Sequence, residues 1–295
     1  MFVHIARRPC AIAAVACFGL ASLFTGNAAI SNPPRSEFGT LVHETKSQYS
    51  HIRVRQRNSI FTLLFVRDNG DEIGETQIDM RKPHNLKIPY TQTMFANFFF
   101  DPHPKKVLIV GLGGGAMVHF LAHHCKDVYV DAVEIDAEVV AAADKYFNCR
   151  SSDQAKIHTA DGLKFIANSE DKYDVIYMDA FLKISNETDA AGVPRNLKTE
   201  AFYKQAQTKL TDKGIMVFNL NVHSKTRDDV QLLKRVFSKA MLFKADDSNY
   251  VFVGLPNDDV LDRNTLRARA KELDQRFDAS FSFFKMTTTV VPMSR

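Results

Sequence analysis

The chain contains few cysteines and, beyond its first 29 residues, no apolar run long enough to span a membrane. Of its 4 cysteines, Cys10 and Cys17 lie in that first stretch, which leaves Cys125 and Cys149. Two cysteines exclude a disulfide-dense scaffold, and they form either one disulfide or two buried thiols. An excess of one charge is also absent, with 38 basic against 34 acidic residues. We therefore expect no nucleic-acid partner.

Residues 1–29 have the pattern of a secretory signal peptide. Arg7 and Arg8 precede an apolar stretch from Cys10 to Phe24, and small residues at Gly26 and Ala28 suit cleavage before Ala29. This pattern predicts an exported protein, periplasmic or secreted. If the leader is not cleaved, we expect it to anchor the chain to a membrane.

The remainder is predicted to have three parts. Residues 30–48 are a linker and the start of a β unit, and residues 49–89 alternate with period two, which predicts a small antiparallel β domain. From residue 90 to 295, near-continuous apolar strands alternate with helical patterns. That alternation predicts an α/β fold with a doubly wound, mostly parallel, Rossmann-like sheet.

A glycine turn lies at the centre of this predicted domain. The apolar run Val107–Val110 enters Gly111, Gly113, Gly114 and Gly115. Residues 111, 113 and 116 are Gly, Gly and Ala, which the tolerant form of the dinucleotide fingerprint accepts. The turn alone therefore leaves a dinucleotide open as the ligand.

Acidic residues follow the next three predicted strands, at Glu134, Asp161 and Asp179. The carboxyl ends of parallel strands meet at one edge of the sheet, so these acids should converge near the glycine turn. Several carboxylates suit a cationic or uncharged nucleoside better than a pyrophosphate. The four segments together predict a nucleoside site.

Several motifs in order resemble the spermidine synthase family. They are VLIVGLGGGA from Val107, VDAVEIDAEVV from Val130, the Ala-Asp-Gly around Asp161, YDVIYMDAF from Tyr173 and LTDKGIMVFNL from Leu210. The match covers roughly residues 49–254 and includes the run from Tyr90 to Met94. It implies a domain of the class I methyltransferase type with an N-terminal β unit, and S-adenosylmethionine or decarboxylated S-adenosylmethionine as the donor.

The resemblance also implies roles for individual residues. Glu134 would bind the ribose hydroxyls, Asp161 with the adjoining Gly162 would bind the adenine amino group, and Gly111, Gly113 and Gly115 would pass under the nucleoside. Gln77 would match a glutamine near the nucleoside. Asp179 and Tyr90 would be the catalytic pair beside the amine.

Two acids of the family pattern are missing here. Synthases have an aspartate where this chain has Gly114, and a second where it has Leu182. Aminopropyl transfer needs a carboxylate to neutralise the amine and accept its proton. The loop from Asn186 to Thr199 contains Glu187 and Asp189, which are candidates for a substitute acid or simply a charged surface.

These departures leave three functions open. The first is aminopropyl transfer to an amine, and the second is methyl transfer, since the motifs also resemble eukaryotic methyltransferases that modify an elongation factor. The third is a catalytically degenerate nucleoside-binding protein, which the missing acids and the predicted leader favour, because these sulfonium donors are made in the cytoplasm. The family resemblance also implies a homodimer. No metal site is predicted, because His119 and His123 have no identifiable third ligand.

Overall fold

The computed structural model describes residues 36–256 and 261–293, so the predicted signal peptide lies outside the described residues. The first described elements form a four-stranded antiparallel sheet in the order β1-β2-β3-β4. These strands are β1 (Thr40–Lys46), β2 (His51–Arg57), β3 (Ile60–Val66) and β4 (Glu72–Asp79). This small sheet confirms the predicted antiparallel β unit.

One strand of the small sheet contains a bulge. Leu63 of β3 pairs with Thr76, whereas the next residue, Leu64, pairs with Gly74. Glu75 is therefore the extra residue on β4. A β-bulge turns side chains away from strict alternation, so the bulge decides which residues of β4 face the larger domain.

A second sheet of eight strands has the order β12-β10-β11-β9-β8-β5-β6-β7. These strands are β5 (Lys106–Val110), β6 (Tyr129–Glu134), β7 (Ala155–Thr159), β8 (Tyr173–Met178), β9 (Leu210–Asn221), β10 (Lys239–Lys244), β11 (Asn249–Leu255) and β12 (Val290–Val291). The five neighbouring strands β9, β8, β5, β6 and β7 are parallel to one another. The strands β11, β10 and β12 extend the sheet beyond β9 as antiparallel neighbours. The predicted fold class, a mostly parallel Rossmann-like sheet, is confirmed.

Helices cover both faces of the large sheet. They are α1 (Pro89–Met94), α2 (Ala116–His124), α3 (Ala137–Phe147), α4 (Gly162–Asn168), α5 (Glu200–Gln207), α6 (Thr226–Val236), α7 (Arg263–Phe277) and α8 (Phe283–Met286). One buried cluster joins the sheet to α1, α2 and α7, and another joins it to α5 and α6. None of the helices within the described residues is long and apolar enough to cross a membrane.

The small sheet packs on the larger domain through an apolar contact. Ile52, Val54 and Leu63 of the small sheet share a buried cluster with Val139 and Phe147 of α3. Burial of such side chains contributes roughly 1.5–3 kcal/mol each. This contact places β4 beside the glycine turn.

Both cysteines of the described residues are free thiols. Cys125 and Cys149 are buried and unpaired, and burial raises their pKa values to about 11 and about 12. Such thiols are inert, so of the two alternatives the structure has two packed free cysteines.

Candidate functional site

The carboxyl ends of the parallel strands form the wall of two connected cavities. We call the first the large cavity: it measures about 630 Å³, and Gly111, Glu134, Asp161, Gly162 and the segment 180–183 are among its lining residues. The second, the inner cavity, lies between β4 and the glycine turn and shares Gly111, Glu134 and Phe181 with the first. The sheet therefore brings the predicted strand-end residues together.

Backbone geometry explains two glycines of the turn. Gly111 has φ +101°, and a Cβ at this position would lie 2.1 Å from the carbonyl oxygen of Asp179. Gly115 has φ +80° and precedes α2, and a Cβ there would lie 2.2 Å from Sγ of Cys149. Gly111 and Gly113 line the inner cavity, whereas Gly115 lines neither cavity. Gly115 thus starts the helix and makes room for Cys149.

Glu134 is fixed by backbone N–H groups. Its Oε2 accepts from Leu112 N at 3.1 Å, and its Oε1 accepts from Asp136 N at 3.0 Å. Burial raises its pKa, and those two hydrogen bonds oppose the increase. Each oxygen keeps a second lone pair, so Glu134 can still accept from a vicinal diol in the cavity.

Asp161 combines two tasks. It is the N-cap of α4, and its Oδ1 accepts from Leu163 N at 2.9 Å. Gly162, which follows it, lies against β5, where a Cβ would be 2.7 Å from Cγ1 of Val110. Both residues line the large cavity. No side chain or backbone N–H among the described residues donates to the second oxygen of Asp161.

The inner cavity contains a cluster of acidic and phenolic groups, formed by Glu75, Tyr90 and Asp179. The Tyr90 hydroxyl donates to the carbonyl oxygen of Glu75 at 3.4 Å. Burial raises the pKa of Asp179 to about 7, although hydrogen bonds from Asn219 and Tyr90 lower it. Burial likewise raises the pKa of Glu75 to about 8, with Asp179 adding to the increase and Arg67 opposing it. Groups of this kind can exchange protons near neutral pH.

A chain of amides orients Asp179. Nδ2 of Asn219 donates to Asp179 Oδ1 at 2.8 Å, and Oδ1 of Asn219 accepts from Nδ2 of Asn249 at 2.8 Å. Both asparagines are buried. Because each amide group has its partner, Asn219 presents its N–H toward the carboxylate. The sequence did not lead us to predict Asn219 or Asn249 as site residues. Their positions as polar residues within apolar strands could have indicated them.

The structure separates Gln77 from the cavities and brings Glu75 to them. Nε2 of Gln77 donates to Oγ1 of Thr62 on the neighbouring strand at 3.3 Å, and Gln77 lines neither cavity. Thr76 and Glu75 both line the inner cavity. The bulge explains why Glu75 and Thr76 both line the inner cavity, because it lets two consecutive residues face the same side of the strand. Strand alternation in the sequence gives no sign of it.

Thr76 and Phe147 occupy the space around Gly114. The Gly114 N–H donates to Thr76 Oγ1 at 2.9 Å, and a Cβ at Gly114 would lie 2.9 Å from Thr76 Cγ2 and 3.0 Å from the Phe147 ring. An aspartate at this position would therefore need its neighbours to move. Leu182, where the other acid is missing, lines the large cavity.

The predicted substitute acids of the loop lie outside the inner cavity. Glu187 is exposed at the large cavity. Asp189 accepts from the Lys198 ammonium at 2.5 Å, and the same ammonium donates to Asp229 at 2.6 Å. Asp189, Asp229 and His223 are close enough to hold a metal ion, but Lys198 already places a cation between the two acids.

The predicted histidines His119 and His123 have separate partners. His119 Nε2 lies 2.8 Å from the carbonyl oxygen of Phe147. The His123 ring stacks on His84 with centroids 3.6 Å apart. Neither belongs to the one potential metal-ligand group found among the described residues.

The sheet order, the glycine turn and the strand-end acids define the class I methyltransferase type of Rossmann-like fold. Among solved structures, a probable spermidine synthase from Corynebacterium glutamicum has a TM-score of 0.66 at 20% identity, covering 79% of this chain and 86% of that one. At this identity the likeness shows the fold.

Sequence comparison shows the family. Residues 90–255 match the Spermine/spermidine synthase domain. A polyamine aminopropyltransferase of Vibrio vulnificus is 30% identical over 232 residues, 75% of each chain. The chain therefore belongs to the spermine/spermidine synthase family, a family of transferases. A human eEF1A lysine and N-terminal methyltransferase is 32% identical over 126 residues, which are 40% of this chain and 18% of that protein.

Proposed function

We propose that the chain transfers the aminopropyl group of decarboxylated S-adenosylmethionine to an amine. One observation carries this proposal: three carboxyl groups line the inner cavity, from Glu75, Glu134 and Asp179, and no lysine or arginine of the described residues lines it. A cavity lined by carboxyl groups favours cations as ligands. The sulfonium, the donor ammonium and the acceptor ammonium are all cations.

The same charge distribution favours the decarboxylated donor. S-adenosylmethionine carries a carboxylate on its amino acid tail, and burial of that carboxylate needs an opposite charge or several hydrogen-bond donors. In the inner cavity it would meet carboxyl groups and no basic side chain. The aminopropyl tail carries only an ammonium group, which these carboxyl groups can neutralise.

The large cavity supplies the nucleoside site in this proposal. Glu134 would accept from the ribose hydroxyls and Asp161 from the adenine amino group, because carboxylate oxygens act only as acceptors. Gly111 lines both cavities, so the sulfur would lie where the two cavities meet. The aminopropyl tail would then extend into the inner cavity.

Asp179 is the candidate base. The acceptor ammonium would pass a proton to the Asp179 carboxylate, and the freed nitrogen lone pair would attack the methylene carbon next to the sulfonium. The carbon–sulfur bond would break with its electron pair moving to sulfur, which releases neutral methylthioadenosine and a secondary ammonium product. A pKa of about 7 for Asp179 suits this proton transfer at neutral pH.

The released nucleoside distinguishes the candidate reactions. Incubation with an amine and either donor, followed by chromatography, should show methylthioadenosine from the decarboxylated donor. Formation of S-adenosylhomocysteine from S-adenosylmethionine, with no methylthioadenosine, would instead establish methyl transfer. Donor binding without turnover of any amine would support the degenerate nucleoside-binding protein.

Methyl transfer is the second candidate, and Gly114 favours it. The resemblance to synthases predicts an aspartate at this position for the polyamine, whereas here a side chain at residue 114 would require Thr76 and Phe147 to move. The similarity to the human methyltransferase extends over 126 residues, 40% of this chain. The donor comparison above decides between the two reactions.

A further inference from the structure

A third cavity, which we call the outer cavity, adjoins the inner cavity. It measures about 350 Å³, within the range of about 300–1,000 Å³ that small-molecule sites occupy. It shares Phe65, Glu75 and Phe181 with the inner cavity. A molecule whose nitrogen reaches Glu75 and Asp179 would therefore have the rest of its body in the outer cavity.

The walls of the outer cavity are largely apolar. Phe65, Ile73, Phe181, Leu182 and Ile184 are among its lining residues. Ile73 is 36% exposed and Ile184 is 49% exposed, and both belong to the few large apolar side chains that the described residues leave exposed. Exposed apolar side chains around a concavity mark a binding site for an apolar group.

The charges of the outer cavity do not favour a second ammonium group. Asp68 and Lys183 both line this cavity, and Nζ of Lys183 lies 2.6 Å from Oδ1 of Asp68. Arg67 also lines this cavity. Apart from Glu75, the ionisable groups that line the outer cavity are thus Arg67, His51 and the Lys183–Asp68 ion pair, so no acid there is left without a basic partner.

We propose that the acceptor is a primary amine with an apolar body and no second cationic group. This inference rests on the proposed function, because it assumes that the amine nitrogen lies between Glu75 and Asp179. Glu75 takes the role of amine-binding acid that Gly114 and Leu182 leave unfilled. The apolar walls and the Lys183–Asp68 pair then select against a diamine.

A matched pair of amines tests the proposal. Pentylamine and putrescine have chains of equal length, and they differ in a terminal methyl against a terminal ammonium. With the full-length protein and decarboxylated S-adenosylmethionine, kcat/KM for pentylamine should exceed that for putrescine at least about tenfold, a difference of about 1.4 kcal/mol. Methylthioadenosine release gives the rate.

The variant Ile184→Asp should reverse this preference. It places an unpaired carboxylate at the rim of the outer cavity, at a half-exposed position whose substitution leaves the buried core intact. Val222→Asp is the matched control, because Val222 is 46% exposed and does not line the cavity. The control should keep the preference for pentylamine.

The outcomes separate the two proposals. Equal or better turnover of putrescine by the unaltered protein would overturn the inference and leave aminopropyl transfer standing. Methylthioadenosine release with neither amine, although calorimetry shows donor binding, would overturn the proposed function. Calorimetric titration of both amines into protein saturated with methylthioadenosine measures acceptor preference without turnover, and tighter binding of putrescine there would also overturn the inference.

Discussion

Glu134 and Asp161 of the large cavity and Glu75 of the inner cavity are held in opposite ways. Glu134 and Asp161 accept hydrogen bonds from backbone N–H groups of adjacent turns, at 3.1 Å from Leu112 and 2.9 Å from Leu163. By contrast, none of the described residues donates a hydrogen bond to the carboxyl group of Glu75, and burial raises its pKa to about 8. The proposed nucleoside site at Glu134 and Asp161, which we call the nucleoside side, is thus preorganised. The proposed amine site at Glu75 and Asp179, the amine side, would be completed by the cation that enters it.

Because of this difference, we expect substitutions to affect donor binding and turnover separately. A change on the nucleoside side should weaken donor binding, and a change on the amine side should slow turnover while the donor still binds. Three substitutions test that separation.

The largest effect is expected for Asp179→Asn. Loss of a general base typically costs about 10²–10⁴-fold in rate, so kcat should fall by that factor with a donor Kd changed less than about threefold. Stopped-time chromatography for methylthioadenosine and calorimetry for the donor measure the two quantities. Asp127→Asn, at an exposed position paired with Lys105, is the control. Unchanged kcat in Asp179→Asn would exclude Asp179 as the base.

Asp161→Asn should give the converse result. An asparagine keeps an oxygen for the N-cap of α4 and presents an N–H group to the adenine amino group. A lost hydrogen bond to a charged group is worth about 1.5–3 kcal/mol, so donor affinity should fall about 10- to 150-fold while kcat at saturating donor persists. Asp262→Ala removes the N-cap of α7 away from the cavities and serves as the control for capping alone. Donor affinity equal to that of the unaltered protein would remove Asp161 from the adenine site.

The smallest effect concerns the pH profile. Asp179 must be ionised to accept a proton, so kcat should rise as pH increases through about 7. The hydrogen bond from Asn219 lowers the pKa of Asp179, so Asn219→Ala should move the midpoint of the profile to higher pH and spare the plateau. A variant at Asn219 that lowers the plateau and leaves the midpoint unchanged would indicate a purely structural role.

The same pKa values predict how stability varies with pH. Glu75 and Asp179 have pKa values above those of an unfolded chain, so the folded state binds their protons more tightly. The stability they contribute is complete below about pH 4 and decreases as pH rises through about 7 and 8. This decrease in stability arises because Glu75 and Asp179 are buried and must ionise in the absence of a bound cation.

The two sides also differ in how well they can be predicted from sequence. Gly111, Glu134, Asp161 and Asp179 follow consecutive strands, so parallel topology alone brings them to one edge. The family resemblance predicted Gln77 near the nucleoside, whereas the position of Glu75 depends on a bulge in another sheet that strand alternation in the sequence does not indicate. Asn219 depends on the antiparallel pairing of β9 with β11. Interactions set by strand register across distant segments leave no local pattern in the sequence.

If Glu75 binds the acceptor as proposed, its position in a bulge of β4 makes acceptor specificity and donor binding genetically separable. Removal of a single codon at this position would restore regular pairing between β3 and β4 and withdraw one carboxyl group from the amine side, with every residue of the nucleoside side unchanged. Acceptor preference in such a protein can therefore diverge by short insertions and deletions in the small sheet. The domain of the eight-stranded sheet, which contains the proposed nucleoside site, would keep its sequence.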